Sequence, residues 1–273
     1  MTASAKSFSP SALRKTVLDM AYAGSSVHIG CAFSIIELLA VLYRNHLRYP
    51  GNDPHAPDRD YFVLSKGHGV MAQYACLREL GWLRAEAIAH YFSDGSDLKG
   101  LSDSRIPGLE VSSGSLGHGF SVGVGLAMGA KLRATDQKTF ALVGDGEINE
   151  GTIWEGALFA AHHQLRNFMV IVDENGFQAM GRTQEVLKLG SIQSKFESFG
   201  FESLTIDGHD EKAIDGAITQ LLRSKTQAPK ALVAKTVKGK GVPFMEDNNL
   251  WHYTRLNPET YAQALAAVAG DAS

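Results

Sequence analysis

The chain has 273 residues, 44% hydrophobic and 20% charged, with 28 glycines and 8 prolines. That is ample material for a core and too little compositional bias for disorder, collagen or a coiled coil. A net charge of −3 with no run of like charges leaves no electrostatic footprint for nucleic acid, so an anionic ligand would need local binding devices.

In chain order, Ser9-Pro10 starts a first helix that ends at Gly24. Ser34 caps a second helix, too densely apolar to lie on the surface. Residues 60–64 read as a strand and 70–80 as a helix stopped by Gly81, the two joined by Ser65-Lys66-Gly67-His68-Gly69. Residues 92–119, rich in Gly, Ser and Asp, form a long loop of the kind that usually carries function. A helix of small residues follows over 120–132, inviting close packing. From Thr139 strands and helices alternate: strand 139–143, helix 153–163, strand 168–172, helix 192–199, strand 201–206, helix 210–224 and strand 230–235. Right-handed crossovers then give an α/β fold, a parallel sheet with helices on both faces. With no repeat, linker or low-complexity tract, residues 1–273 read as a single domain with a flexible tail after Lys238, which leaves Lys238 and Lys240 solvated.

No window approaches the roughly 18 apolar residues a membrane span needs, and residues 1–10 lack an apolar core, so a cytoplasmic location is expected. Cys31 and Cys76 stand alone without CxxC or Cys/His ligand spacing. This argues against a disulfide framework or a zinc site and favours two buried thiols.

Gly144-Asp145-Gly146 and Asn175-Gly176 each follow an apolar strand, with one helix between, so both emerge on the carboxyl edge of a parallel sheet, where α/β folds bind ligands. One carboxylate, one amide oxygen and glycines for close backbone approach suit Mg²⁺ that keeps water or phosphate oxygens. The pattern predicts a metal-bridged diphosphate. Either turn alone is an ordinary tight turn; their joint spacing makes the functional reading.

Gly144-Asp145-Gly-x-x-x-Glu150-Gly followed by Asp173-Glu174-Asn175 resembles the thiamine diphosphate motif of transketolases. The resemblance extends, in family order, over His28-Ile29-Gly30, the Ser65 to Gly69 segment, Gly114-Ser115-Leu116-Gly117-His118-Gly119, the Lys235 to Gly241 segment and Trp251-His252. It implies thiamine diphosphate with Mg²⁺ (or Ca²⁺ or Mn²⁺), the ion held by Asp145, Asn175 and the Phe177 carbonyl. His68, Gly114, Ser115, Leu116 and Gly146 would touch the diphosphate or thiazolium side. Glu150 would join the carboxylate network leading to the aminopyrimidine, and His28 and His252 would face the reacting carbons. Imidazoles suit proton transfer near neutral pH, although each of these histidines taken singly reads as structural. The remaining histidines, His46, His55, His90, His162, His163 and His209, match no such motif and read as structural or exposed.

The resemblance covers the diphosphate-binding half of single-chain members, as in two-subunit versions. It implies an obligate C-terminal subunit supplying the glutamate and aromatic pocket for the pyrimidine ring, with the assembly a dimer of heterodimers. The activity implied is transfer of a two-carbon ketol unit from a ketose phosphate to an aldose. Leu101 stands where the family has a substrate-binding histidine, His118 where it mostly has glutamine, and Trp251-His252 continues unusually as Tyr253-Thr254. The donor hydroxyl is then held differently, by Ser102 or Asp103, or the donor carries a methyl there. The alternatives are a donor such as pyruvate or an unusual ketose, with a sugar or carrier-bound thiol as acceptor, and a cofactor-binding relative without turnover.

Overall fold

The computed structural model describes residues 7–270; of the stretch 1–10 inspected for a signal peptide, residues 1–6 lie outside the described residues. The order is α1 (Pro10–Ala23), α2 (Ile29–Phe33), α3 (Ile36–Val41), β1 (Tyr61–Leu64), α4 (Val70–Glu79), α5 (Ala85–Ala89), α6 (His118–Leu132), β2 (Thr139–Gly144) and α7 (Gly151–His162). Then come β3 (Phe168–Glu174), β4 (Phe177–Gln178), β5 (Gly181–Arg182), α8 (Thr183–Val186), α9 (Ile192–Ser198), β6 (Glu202–Asp207), α10 (Glu211–Arg223), β7 (Lys230–Lys235) and α11 (Pro258–Gly270).

Five strands pair in the order β1-β2-β3-β7-β6, every pair parallel. Because side chains alternate along a strand, the four strands β1, β2, β3 and β7 feed both faces. Phe62, Phe140, Leu142, Met169, Ile171 and Leu232 join one core with α1, α3, α4, α10 and α11. Val63, Ala141, Val143, Val170, Val172 and Val233 join the other with α6, α7 and α9. Burial on both sides explains why β1, β2, β3 and β7 read as near-continuous apolar runs, whereas the edge strand β6 alternates. On α6, Gly123 lets the helix settle on the sheet, since a Cβ there would lie 3.3 Å from both Ala141 Cβ and the Phe168 ring.

Two expectations are corrected. Ser34 does not cap the start of α3: that helix begins after Ile35, and the buried Ser34 hydroxyl donates instead to Asp173 Oδ2 at 2.8 Å. The segment after Lys238 is not a flexible tail. Lys238, Val242, Met245 and Trp251 are buried, and α11 packs Ala264 and Val268 into the first core. Glycine-rich spacing hides this, because the anchoring residues are scattered singles held by long-range contacts with α1 and α2.

Candidate active site

The carboxyl ends of β1, β2, β3 and β7 converge on a cavity of about 620 Å³. β2 delivers Asp145, buried, whose Oδ1 accepts the Gly146 N–H at 2.8 Å and whose Oδ2 accepts the Gly176 N–H at 2.7 Å. Gly176 reaches across because it holds φ at +79°, a left-handed value that a side chain would resist. β3 delivers Asn175, whose side-chain oxygen accepts the Phe177 N–H at 3.0 Å and whose amide donates to Asp173 Oδ2 at 2.8 Å. Gly144 and Asp173 are register partners, which puts the two turns side by side.

Beneath them lies a buried ion pair. Lys66, at the end of β1, sets its ammonium 2.5 Å from Asp173 Oδ2 and donates to the Cys31 carbonyl at 3.0 Å. Asp173 also receives the hydroxyls of Ser34 and Thr236. Burial alone would push the Asp173 carboxyl up; the Lys66 ammonium and these donors outweigh it and hold the group below the usual range. Asp145 has no such cation. Burial, reinforced by the Asp173 charge, pushes it up to about 7.

That shortage of positive charge is one observation that a cation fits here. A second is polar: Asn149 Oδ1 and Gln178 Nε2 line the cavity, are buried and have no hydrogen-bond partner. The donor set, a carboxylate, an amide oxygen and the backbone at Phe177, is hard oxygen and suits Mg²⁺ bridging to phosphate. Gly146 keeps the approach open, since a Cβ there would stand 2.8 Å from Gln178 Cγ.

Opposite this edge three imidazoles meet, with ring centroids 5.4 Å apart for His28 and His68, 5.2 Å for His28 and His252, and 5.6 Å for His68 and His252. His28 adopts φ +69°, an uncommon left-handed state that turns it into the cavity at the start of α2. Burial, then the Lys238 and Lys66 charges, lowers His28 to about 4 and, with His28 adding to it, His252 to about 3; burial and Lys66 hold His68 well below its ordinary value. All three are neutral at pH 7. Lys238 donates to His252 Nδ1 at 2.9 Å and to Asn249 Oδ1 at 2.7 Å.

A model of the family described as transketolase, thiamine diphosphate binding domain, matches residues 6–269. This chain belongs to that family. The chain is 37% identical over 256 residues to an apulose-4-phosphate transketolase subunit of Phocaeicola vulgatus, covering 94% of this chain and 91% of that one. It is 36% identical over 240 residues to a 6-deoxy-6-sulfo-D-fructose transketolase subunit of a Clostridium species, covering 88% and 87%. Its fold superposes on transketolase from Leishmania mexicana with a TM-score of 0.90 and 29% identity, covering 98% of this chain and 42% of that one. The Campylobacter jejuni enzyme gives a TM-score of 0.89 at 29% identity, with 97% and 42% covered.

His28, His68, Gly114, Leu116, Asp145, Gly146, Glu150, Asn175, Phe177 and His252 all line this cavity. Ser115 does not: it is exposed in the turn between Gly114 and Leu116. Glu150 is exposed at the rim, and the buried carboxylate is Glu147, which accepts the Ser65 hydroxyl at 2.5 Å and the N–H groups of Gly117 and Gly144. Lys66 and Glu147 are the members that sequence reasoning passed over, and Lys238, read as solvated, is a buried third. Lys66 lies within the Ser65 to Gly69 segment and Glu147 directly after Gly146, but nothing in a linear pattern distinguishes a buried charge from a solvated one. Neither Ser102 nor Asp103 takes the place of the missing histidine. Ser102 is buried away from the cavity and Asp103 pairs with Arg105 at 2.5 Å, whereas Leu101 faces the cavity. Cys31 is also in the wall, its Sγ 3.6 Å from His252 Nδ1, not among apolar neighbours alone.

Proposed function

We propose that this transketolase chain is the diphosphate-binding subunit of a two-subunit enzyme that moves a two-carbon ketol unit from a ketose phosphate to an aldose. The observation that carries it is the convergence of an oxygen-rich edge, Asp145 and Asn175, and three neutral imidazoles on one cavity. Asp145, Asn175 and the Phe177 carbonyl would hold the divalent ion. His68, the backbone from Gly114 to Leu116, and Gly146 would hold the diphosphate and thiazolium side. Bound thiamine diphosphate would supply the electron sink for carbon–carbon bond cleavage. Because Lys238 donates to Nδ1 of a neutral His252, the ring proton sits on Nε2, ready to be donated to a substrate oxygen. His28, also neutral, can accept a proton beside it.

A second polypeptide completes this reading. Met180, Leu187 and Tyr253 line the cavity yet are 75%, 58% and 61% exposed, an apolar rim that a partner would cover. Glu150 stands on the same rim, where a partner carboxylate would meet it in a dimer of heterodimers. The Phocaeicola and Clostridium relatives both carry the word subunit in their names, which supports a divided enzyme. The reading includes action in the cytoplasm. No helix among the described residues is long and apolar enough to cross a membrane.

Calorimetric titration of the full chain with thiamine diphosphate and Mg²⁺, with and without the C-terminal subunit, followed by a ketol-transfer assay, tests the proposal. Binding and turnover that require both subunits support it; full turnover by the chain alone, or no binding with the partner present, refutes it. Leu101 favours a second reading, a donor with a methyl at the transferred end, since an apolar wall of 44% exposure faces the cavity where a hydroxyl partner is expected. Preference for pyruvate over a ketose phosphate in the same assay would decide for it.

A further inference from the structure

The soft end of the cavity carries a thiol, Cys31, that the thiamine diphosphate reading leaves unused. Cys31 Sγ, one nitrogen of His68 and one of His252 all lie within 4.8 Å of one another. Tetrahedral zinc with Zn–S near 2.3 Å and Zn–N near 2.05 Å places sulfur and nitrogen about 3.6 Å apart. The Cys31 Sγ to His252 Nδ1 separation is 3.6 Å. His28 stands beside both imidazoles, its ring centroid 5.4 Å from His68 and 5.2 Å from His252, and a water would complete the shell.

We propose that Cys31, His68 and His252 form a binding site for a thiophilic divalent ion such as Zn²⁺, separate from the oxygen-rich edge at Asp145 and Asn175. The ligand types divide the cavity: carboxylate and amide oxygens select a hard ion, thiolate and imidazole a borderline one. Neutral imidazoles need lose no proton to ligate. The Cys31 thiol does: its S–H bond breaks, the sulfur electron pair forms the S–metal bond and the proton leaves to solvent. Lys238 is the competing cation on His252 Nδ1. Its second acceptor, Asn249 Oδ1 at 2.7 Å, retains the ammonium when the metal takes the imidazole lone pair. Cys31 is carried on the short α2, directly after His28, so the thiol is brought to the imidazoles by the same turn that orients His28.

An ion there would occupy the imidazoles that the proposed function assigns to cofactor and substrate, and would inhibit the enzyme. Only this inhibitory consequence rests on that reading; binding of the metal does not. The test therefore begins with the full chain alone, saturated with Mg²⁺ and titrated with Co²⁺ as a spectroscopic stand-in for Zn²⁺. The expected result is one Co²⁺ per chain with a thiolate-to-cobalt charge-transfer band and intense tetrahedral d–d bands. Cys31→Ala and the size-matched Cys31→Ser should lose the charge-transfer band. They should also weaken binding at least roughly tenfold, the loss seen even when only an outer partner of a ligand is removed. Cys76→Ala, altering a thiol buried in the core, should change neither. Circular dichroism checks that each variant is folded. No charge-transfer band at a 1:1 ratio, a band that survives Cys31→Ser, or one that disappears in Cys76→Ala overturns the proposal. In the reconstituted enzyme, inhibition by Zn²⁺ should be relieved at least roughly tenfold by Cys31→Ser; equal inhibition of variant and parent overturns the inhibitory role while leaving ketol transfer itself assayable.

Discussion

Lys66→Met should uncover how much of the fold hangs on the ion pair under the site. The Lys66 and Asp173 side chains are 2% and 0% exposed and meet at 2.5 Å, so the substitution strands a carboxylate that water cannot reach. Removing one partner of a buried pair costs about 3–5 kcal/mol. Ser34, Thr236 and Asn175 still donate to Asp173, which favours the lower end. A chain of this size unfolds with an entropy near 0.6 kcal/mol/K, so Tm should fall by about 5–9 °C in a calorimetric scan. Lys66→Met with Asp173→Asn removes the stranded charge and should recover at least half of that loss. Asp173 pins the Asn175 amide, so thiamine diphosphate affinity in the presence of Mg²⁺ should also drop by roughly tenfold in the single variant. A Tm within about 1 °C of the parent, on the same entropy scale, or a double variant no better than the single, refutes the reasoning.

In the cofactor-free chain, Asp145, raised to about 7, favours the fold below its unfolded value, and that contribution is lost as pH rises from about 4 through 7. Urea unfolding from pH 5 to 8 should therefore show Asp145→Asn gaining on the parent with rising pH, by about 3 kcal/mol; parallel profiles would contradict the electrostatic account. Adding Mg²⁺ and thiamine diphosphate should stabilise the parent more at pH 8 than at pH 5, measured as a Tm shift. Leu101→His should raise kcat/KM for a ketose phosphate relative to pyruvate by about tenfold, the scale of one added hydrogen bond of about 1.4 kcal/mol; an unchanged ratio measured by paired progress curves rejects Leu101 as a donor-selecting residue. Glu37→Gln removes the anion that Arg14 meets at 2.6 Å and His209 Nδ1 at 2.9 Å. Because His209 Nε2 accepts the Val237 N–H and Arg14 donates to the Lys240 carbonyl, hydrogen exchange over 237–241 should quicken, and stability should fall by about 1–3 kcal/mol.

The alternation from Thr139 onward, the parallel sheet and the placement of Asp145 and Asn175 on one edge were legible in the linear pattern. Strand periodicity and turn glycines are local properties, and a parallel sheet leaves only one edge for both turns. His209, read as structural or exposed, does hold the Val237 backbone, but its partners lie on α3 and the segment after β7, beyond any local signal. The loop after Lys238 misled for a related reason: its glycines mark turns faithfully, yet its burial comes from Met245 and Trp251 docking far away in sequence.

What the sequence determined by itself was the architecture and the hard-oxygen edge, because both follow from spacing along the chain and from which side of a strand a residue takes. What only the tertiary structure decided was charge and company. Lys66 and Lys238 became buried cations, Asp145 a carboxylate short of one, and Cys31 a neighbour of His252, since dielectric and proximity belong to residues brought together from different strands and helices.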